Sequence, residues 1–157
     1  MVVKWLWLSR LGYNHLMKDK ITTIKDFVAK ELYCVVSTAG IDNKPESALV
    51  AFSESSDLEI IFGTSTDTRK AINILNNPST SIVIGLHGNI SIQLEGRARI
   101  IPLEESGKYA EIHYKKQPGS KDYMDRPGEC FVVVTVSWVR YTDISHHPEN
   151  VFEVELP

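Results

Sequence analysis

Ile90-Ser91-Ile92-Gln93-Leu94-Glu95-Gly96-Arg97-Ala98-Arg99-Ile100 is the stretch that decides the architecture of this chain. Ile90, Ile92, Leu94, Ala98 and Ile100 fall on one side of an extended backbone, and Ser91, Gln93, Glu95, Arg97 and Arg99 fall on the other, which is the period of two of a half-buried strand. Gly96 interrupts the apolar side. A glycine inside so regular a strand marks a bulge or sharp bend, the device by which a sheet curls into a barrel. The polar side carries charge at three positions, which would be costly in a dry core, so that face meets solvent, a ligand or another subunit.

Working outward, Ser81 to Leu86 read as a strand that enters this one through the compact turn His87-Gly88-Asn89. Downstream, Leu103 to Lys116 read as a helix and residues 117–128 as an exposed loop bracketed by Pro118-Gly119 and Pro127-Gly128. Phe131 to Val136 are continuously apolar and mostly β-branched, which predicts a central strand running on through Trp138, Arg140 and Tyr141. Val151 to Val154 form a short tail strand. Upstream, Ile24, Phe27, Val28 and Leu32 predict a helix over 22–31, with Thr23 and Asp26 as its capping box. Strands follow over 33–38, 48–52 and 58–62. A short helix then turns Ala71, Ile72 and Leu75 inward and stops at Asn76-Asn77-Pro78. Six strands joined mostly by short turns predict a mainly β fold, an antiparallel barrel rather than a parallel sheet.

Composition narrows the function. A chain of 157 residues with 43% hydrophobic and 24% charged residues can bury roughly 70% of its unfolded surface, so it needs no staple. A formal net charge of −3 offers no broad basic face for nucleic acid. No apolar run is long enough to span a bilayer, and Cys34 and Cys130 sit in apolar surroundings typical of reduced core thiols, so the expected location is cytoplasmic. No metal-ligand spacing and no nucleophile elbow occur, and no catalytic residue is identifiable. Trp5, Leu6, Trp7 and Leu8 lie in an N-terminal extension, residues 1–20. They read either as an upstream addition or as an amphipathic helix covering the domain or a partner.

The strongest functional signal is Phe62-Gly63-Thr64-Ser65-Thr66-Asp67-Thr68-Arg69-Lys70. It leaves an apolar strand, passes a small-residue turn and opens a helix with two cations. The first turn of a helix has unpartnered N–H groups and about half a positive charge, so an anion is welcome there.

In segment order the chain from about Thr22 to Tyr141 resembles the pyridoxamine 5′-phosphate oxidase-like family of FMN-binding split barrels. The residues that carry the resemblance are Asn43-Lys44-Pro45, Phe62-Gly63-Thr64, Thr68-Arg69-Lys70, Asn77-Pro78 and Leu94-Glu95-Gly96-Arg97-Ala98. The resemblance implies a single domain over 21–157, a six-stranded antiparallel split β-barrel in Greek-key order with flanking helices. It implies FMN as cofactor, with Thr68, Arg69 and Lys70 on the flavin phosphate. Val50, Ala51 and Phe52 would lie along the ring with Thr64 beside them, and Ser91 aligns with a ring-approaching glutamine for which Gln93 can substitute. It also implies a homodimer with the cofactor between subunits. Ala48 and Ser53 align with an arginine and a lysine of the oxidase itself, and residues 140–147 lack its C-terminal arginine and histidine pair, which argues against pyridoxamine phosphate as substrate.

The expected function is therefore a flavin-dependent oxidoreductase acting on a small substrate. The alternatives are a flavin-binding protein without turnover, a haem-binding barrel using His146 or His147, and a dimeric interaction module without cofactor.

Overall fold

A computed structural model describes the backbone of residues 3–85 and 88–157, with side chains for 15–85 and 88–157. The Trp5 to Leu8 cluster, as side chains, Leu86 at the end of the expected strand and His87 of the expected turn lie outside the described residues. The elements are α1 (Val3–Val28), β1 (Tyr33–Ala39), β2 (Pro45–Ala51), β3 (Ser53–Glu54), β4 (Ile60–Ser65), α2 (Arg69–Asn76), β5 (Ser79–Ile84), β6 (Ile90–Pro102), α3 (Gly107–Lys116), α4 (Lys121–Met124), β7 (Glu129–Asp143) and β8 (Asn150–Glu155).

All strand pairs are antiparallel, in the order β2-β1-β5-β6-β7-β4-β3, with β8 on β7. The two ends of that path, β2 and β3, are separated in the chain by Phe52 alone. They are one strand bent at a residue, and through it the sheet curls back on itself as a barrel. Counting β2 and β3 together gives the six barrel strands the sequence predicts. β8 is a seventh, sharing one edge of β7 end to end with β4. From the β1–β2 hairpin the chain crosses to β4 beside β7 and returns with β5 beside β1, the crossing expected of a Greek key.

The barrel interior holds Phe52, Ile60, Phe62, Ile82, Ile92, Leu94, Val132 and Val134. Ile61, Tyr109, Met124, Phe131 and Val133 form a second cluster under α3 and α4. Residues 130–134 of β7 are therefore covered on both faces, which is why their sequence is apolar without alternation. On β6 the alternation is obeyed, with Ile92, Leu94 and Ala98 buried and Gln93, Glu95, Arg97 and Arg99 exposed. Register slips at Glu95/Gly96, where Glu95 faces Trp138 and Gly96 faces Val136, so Ser137 is the extra residue of a bulge.

Three local expectations are corrected. α1 begins well before residue 22, so Thr23 is no cap and its hydroxyl returns to the Asp19 carbonyl at 3.0 Å. On α2, Ala71 and Ile74 are buried while Ile72 and Leu75 are 48% and 71% exposed. Asn73 lies on the same buried side, where its Nδ2 donates to Thr38 Oγ1 at 3.1 Å and to Glu46 Oε2 at 3.0 Å, so this rotation buries Ala71 and Ile74 and satisfies the Asn73 amide together. Residues 117–128 are not all loop, since a 3₁₀ turn (Pro118–Ser120) and α4 fold there.

A Cβ on Gly96 would stand 2.2 Å from the Thr135 carbonyl oxygen, whereas one on Gly107 meets nothing. Gly96→Ala is expected to cost about 1–3 kcal/mol in urea unfolding, with Gly107→Ala neutral or slightly stabilising. Equal midpoints for the two variants would show that the bulge yields freely.

Candidate functional site

Thr68 ends an extended segment and caps α2. Its Oγ1 accepts from the Ala71 N–H at 3.4 Å, lies 3.0 Å from Thr64 Oγ1 and donates to the Ser65 carbonyl at 2.8 Å. This cap aims the first turn of α2, and with it Arg69 and Lys70, at a cleft of about 430 Å³ whose walls include Glu46, Ala48, Asp67 and Thr68. Arg69 is held on one side only, by Nη1 to Glu46 Oε1 at 2.8 Å, and its side chain is 79% exposed. Lys70 has no carboxylate within 4 Å among the described residues.

Lys70 also lines a second cleft, of about 450 Å³, together with Val50, Ala51, Gly63, Ser120 and Met124. Lys70 is thus common to the linings of both clefts. Each falls within the usual size of small-molecule sites. β2 is an edge strand of the sheet path, so backbone groups on its outer edge face away from β1 and are available to a bound molecule.

Of the residues the sequence proposed, the structure brings together Val50, Ala51, Thr64, Thr68, Arg69 and Lys70. Phe52 is fully buried, its N–H donates to the Leu32 carbonyl at 3.1 Å, and its carbonyl accepts from Gln117 Nε2 at 3.1 Å. It supports the cleft from behind. Ser91 and Gln93 line neither cleft. They sit on β6 opposite Thr142 and Arg140 of β7. Arg99, on the same face, is structural: it reaches Glu59 Oε1 and Thr135 Oγ1, each at 2.9 Å, and the Tyr109 hydroxyl. His146 and His147 are 71% and 91% exposed beside Asp143 and Glu149, away from the clefts.

Sequence reasoning missed the far wall. His113 of α3 is 1% exposed and lines the larger cleft, with Nδ1 3.1 Å from Ser53 Oγ and Nε2 3.1 Å from Ser120 Oγ. Burial pushes its imidazole down to about 4, helped by the nearby Lys116 ammonium and opposed by a hydrogen bond to the Ile61 backbone. Its signal in the sequence was only a histidine at an inward position of the predicted helix. Lys116 is ion-paired with Glu54, donates to the Val28 carbonyl at 3.0 Å and lies 4.3 Å from the Phe52 ring centroid. Cys34 and Cys130 are both buried and free, and burial raises the Cys34 thiol to about 12.

Residues 21–143 match the family model described as pyridoxamine 5′-phosphate oxidase. The chain belongs to this family. Pyridoxine/pyridoxamine 5′-phosphate oxidase of Ehrlichia chaffeensis is 29% identical over 104 residues, covering 65% of this chain and 50% of that protein. The chain thus spans about half the length of that relative. A haem-binding protein from Mycobacterium smegmatis superposes with a TM-score of 0.70 at 16% identity, over 82% of this chain and 55% of that one. A pyridoxamine 5′-phosphate oxidase-related, FMN-binding protein from Nostoc punctiforme gives 0.59 at 12% identity, over 80% and 88%. The split-barrel fold is common to them. Among the described residues no helix is long and apolar enough to cross a membrane.

His113 gives a test of the wall. Its folded value lies below the ordinary 6.5, so the unfolded chain binds more protons between those limits and stability falls as pH drops from about 6.5 to about 4. The loss is expected to be about 3 kcal/mol over that window, and His113→Gln should remove that part of the slope. An unchanged slope in the variant would mean that other groups carry it.

Proposed function

We propose that the protein binds FMN, with the phosphate at Thr68, Arg69 and Lys70 and the ring system along the outer edge of β2 at Val50 and Ala51, beside Thr64. The observation that carries this reading is that Lys70 lines both clefts, the one at the start of α2 and the one walled by Val50, Ala51, Gly63 and Met124. The donor set fits. A phosphate can use the unengaged guanidinium N–H groups of Arg69, the Lys70 ammonium and the partly positive end of α2, whose start Thr68 holds in place through Ser65 and Ala71. The larger cleft offers Val50, Ala51, Gly63 and Met124, small or deformable groups suited to a flat ring. When bound, the flavin would supply hydride exchange with a small substrate, and the chain would supply orientation, hydrogen bonds and exclusion of water.

The neighbouring FMN-binding and haem-binding proteins frame two cofactor classes, and the geometry favours the flavin. Both ring nitrogens of His113 are engaged by serine hydroxyls, and His146 and His147 point into solvent beside carboxylates. We further infer a homodimer. One cross-strand row on the outer face runs Leu49, Val35, Val83, Gln93, Arg140, with Leu49 61% and Val83 37% exposed. A second copy laid on this row would cover those apolar side chains and bring Ser91 and Gln93 toward its own bound ring, which accounts for their distance from the clefts within one protomer.

Lys70→Ala should weaken FMN binding about ten- to a hundredfold in a flavin fluorescence titration, since one charge-assisted hydrogen bond is worth about 1.5–3 kcal/mol. An unchanged dissociation constant would move the phosphate elsewhere. Anaerobic reduction of the flavin-loaded protein by NADH or NADPH, followed by reoxidation with an acceptor, then distinguishes an oxidoreductase from an inert carrier.

A further inference from the structure

His113 has a serine hydroxyl on each side of its ring, with Ser53 Oγ 3.1 Å from Nδ1 and Ser120 Oγ 3.1 Å from Nε2. Ser53 is fully buried, whereas Ser120 is half-buried and lines the larger cleft. The bond to the Ile61 backbone decides which nitrogen carries the proton. Ile61 is the cross-strand partner of Ser53, so it lies on the Nδ1 side of the ring. That bond favours the protonated imidazole, so a ring N–H donates to the Ile61 carbonyl. With the proton on Nδ1, Nε2 presents a lone pair, and the Ser120 O–H donates to it. A hydroxyl, a base and a group that orients the base are thus linked by consecutive hydrogen bonds, which is the arrangement of an activated nucleophile.

We infer that Ser120 is a nucleophile served by His113, and that the cleft transfers the acyl group of small activated esters to Ser120 and then to water. As Ser120 Oγ bonds to the carbonyl carbon, its proton passes to Nε2. The tetrahedral centre then collapses, the bond to the leaving group breaks, and that group departs with the proton from Nε2. Water repeats the sequence on the acyl-serine: its proton goes to Nε2, its oxygen bonds to the carbonyl carbon, and Ser120 leaves reprotonated as the carboxylic acid is released. Lys70 lies in the same lining and brings positive charge to the oxygen anion that forms. Burial holds His113 at about 4, so Nε2 is free of a proton at neutral pH, but the base is weak and its conjugate acid strong. Such a pair suits aryl esters and thioesters, whose leaving groups need little help, and not amides. Val50, Ala51 and Met124 give the acyl chain an apolar wall.

The test needs neither flavin nor phosphate, so its outcome is independent of the flavin reading. The full chain is treated with a fluorophosphonate, in which Ser120 Oγ displaces fluoride from phosphorus and the proton leaves as HF, and the labelled peptide is identified by mass spectrometry. Label is expected on Ser120, and p-nitrophenyl acetate should be hydrolysed by the native protein and not by Ser120→Ala. His113→Gln should slow the labelling of Ser120 about a hundredfold, the lower end of what a positioned base contributes. Circular dichroism of both variants confirms that the fold is kept. An unlabelled Ser120 in the native protein, ester hydrolysis that persists in Ser120→Ala, or equal labelling rates in native and folded His113→Gln each overturns the inference. Because the first of these is read on the native chain, the inference stays falsifiable if His113→Gln does not fold.

Discussion

Phe52 is the point on which the barrel closes. On one side of it β2 pairs with β1, and on the other β3 pairs with β4, so the first and last members of the sheet path are joined by a single residue. The bend needs three anchors, and it has them: the ring is in the core, the N–H is spent on Leu32, and the carbonyl is spent on Gln117. A backbone so fully satisfied has no hydrogen-bonding reason to straighten. Because β2 is turned out of the barrel at this residue, its outer edge stands opposite the first turn of α2, and the cleft follows from that divergence.

Much of this was readable from the residues. The alternation along β6 identified both its faces, and Gly96 marked the bulge, because a half-buried strand writes its geometry directly into its sequence. The unbroken apolar run of β7 indicated a central strand, and the structure buries residues 130–134 on both faces. The Thr68-Arg69-Lys70 step announced a helix end with two cations. What the residues did not show depends on contacts between distant segments. The buried side of α2 is the one on which Asn73 reaches Glu46 and Thr38, partners 27 and 35 positions away, whereas the residues alone favoured Ile72 and Leu75. The wall built by Ser120 and Met124 was hidden in a stretch whose prolines and glycines read as loop.

The arrangement at α2 shows how one hydroxyl organises a site. Thr68 caps the helix, leans on Thr64 of the neighbouring strand and ties itself to the turn at Ser65, so the strand end and the helix start are held as one piece. Arg69 and Lys70 then diverge from a fixed base, one toward β2 and one into the lining that both clefts share. The cost of ordering the start of the helix is thereby met before any ligand arrives, and Glu46 already orients one edge of Arg69.

Lys116 and Gln117, at the end of α3, reach back to the carbonyls of Val28, Leu32 and Phe52. Three stretches remote in sequence, the tail of the first helix, the entry to the first strand and the closing bend, are thereby moored to one short peg beside His113. The end of the amino-terminal helix and the bend at Phe52 therefore share their anchors, and losing the end of α3 would unfasten both at once.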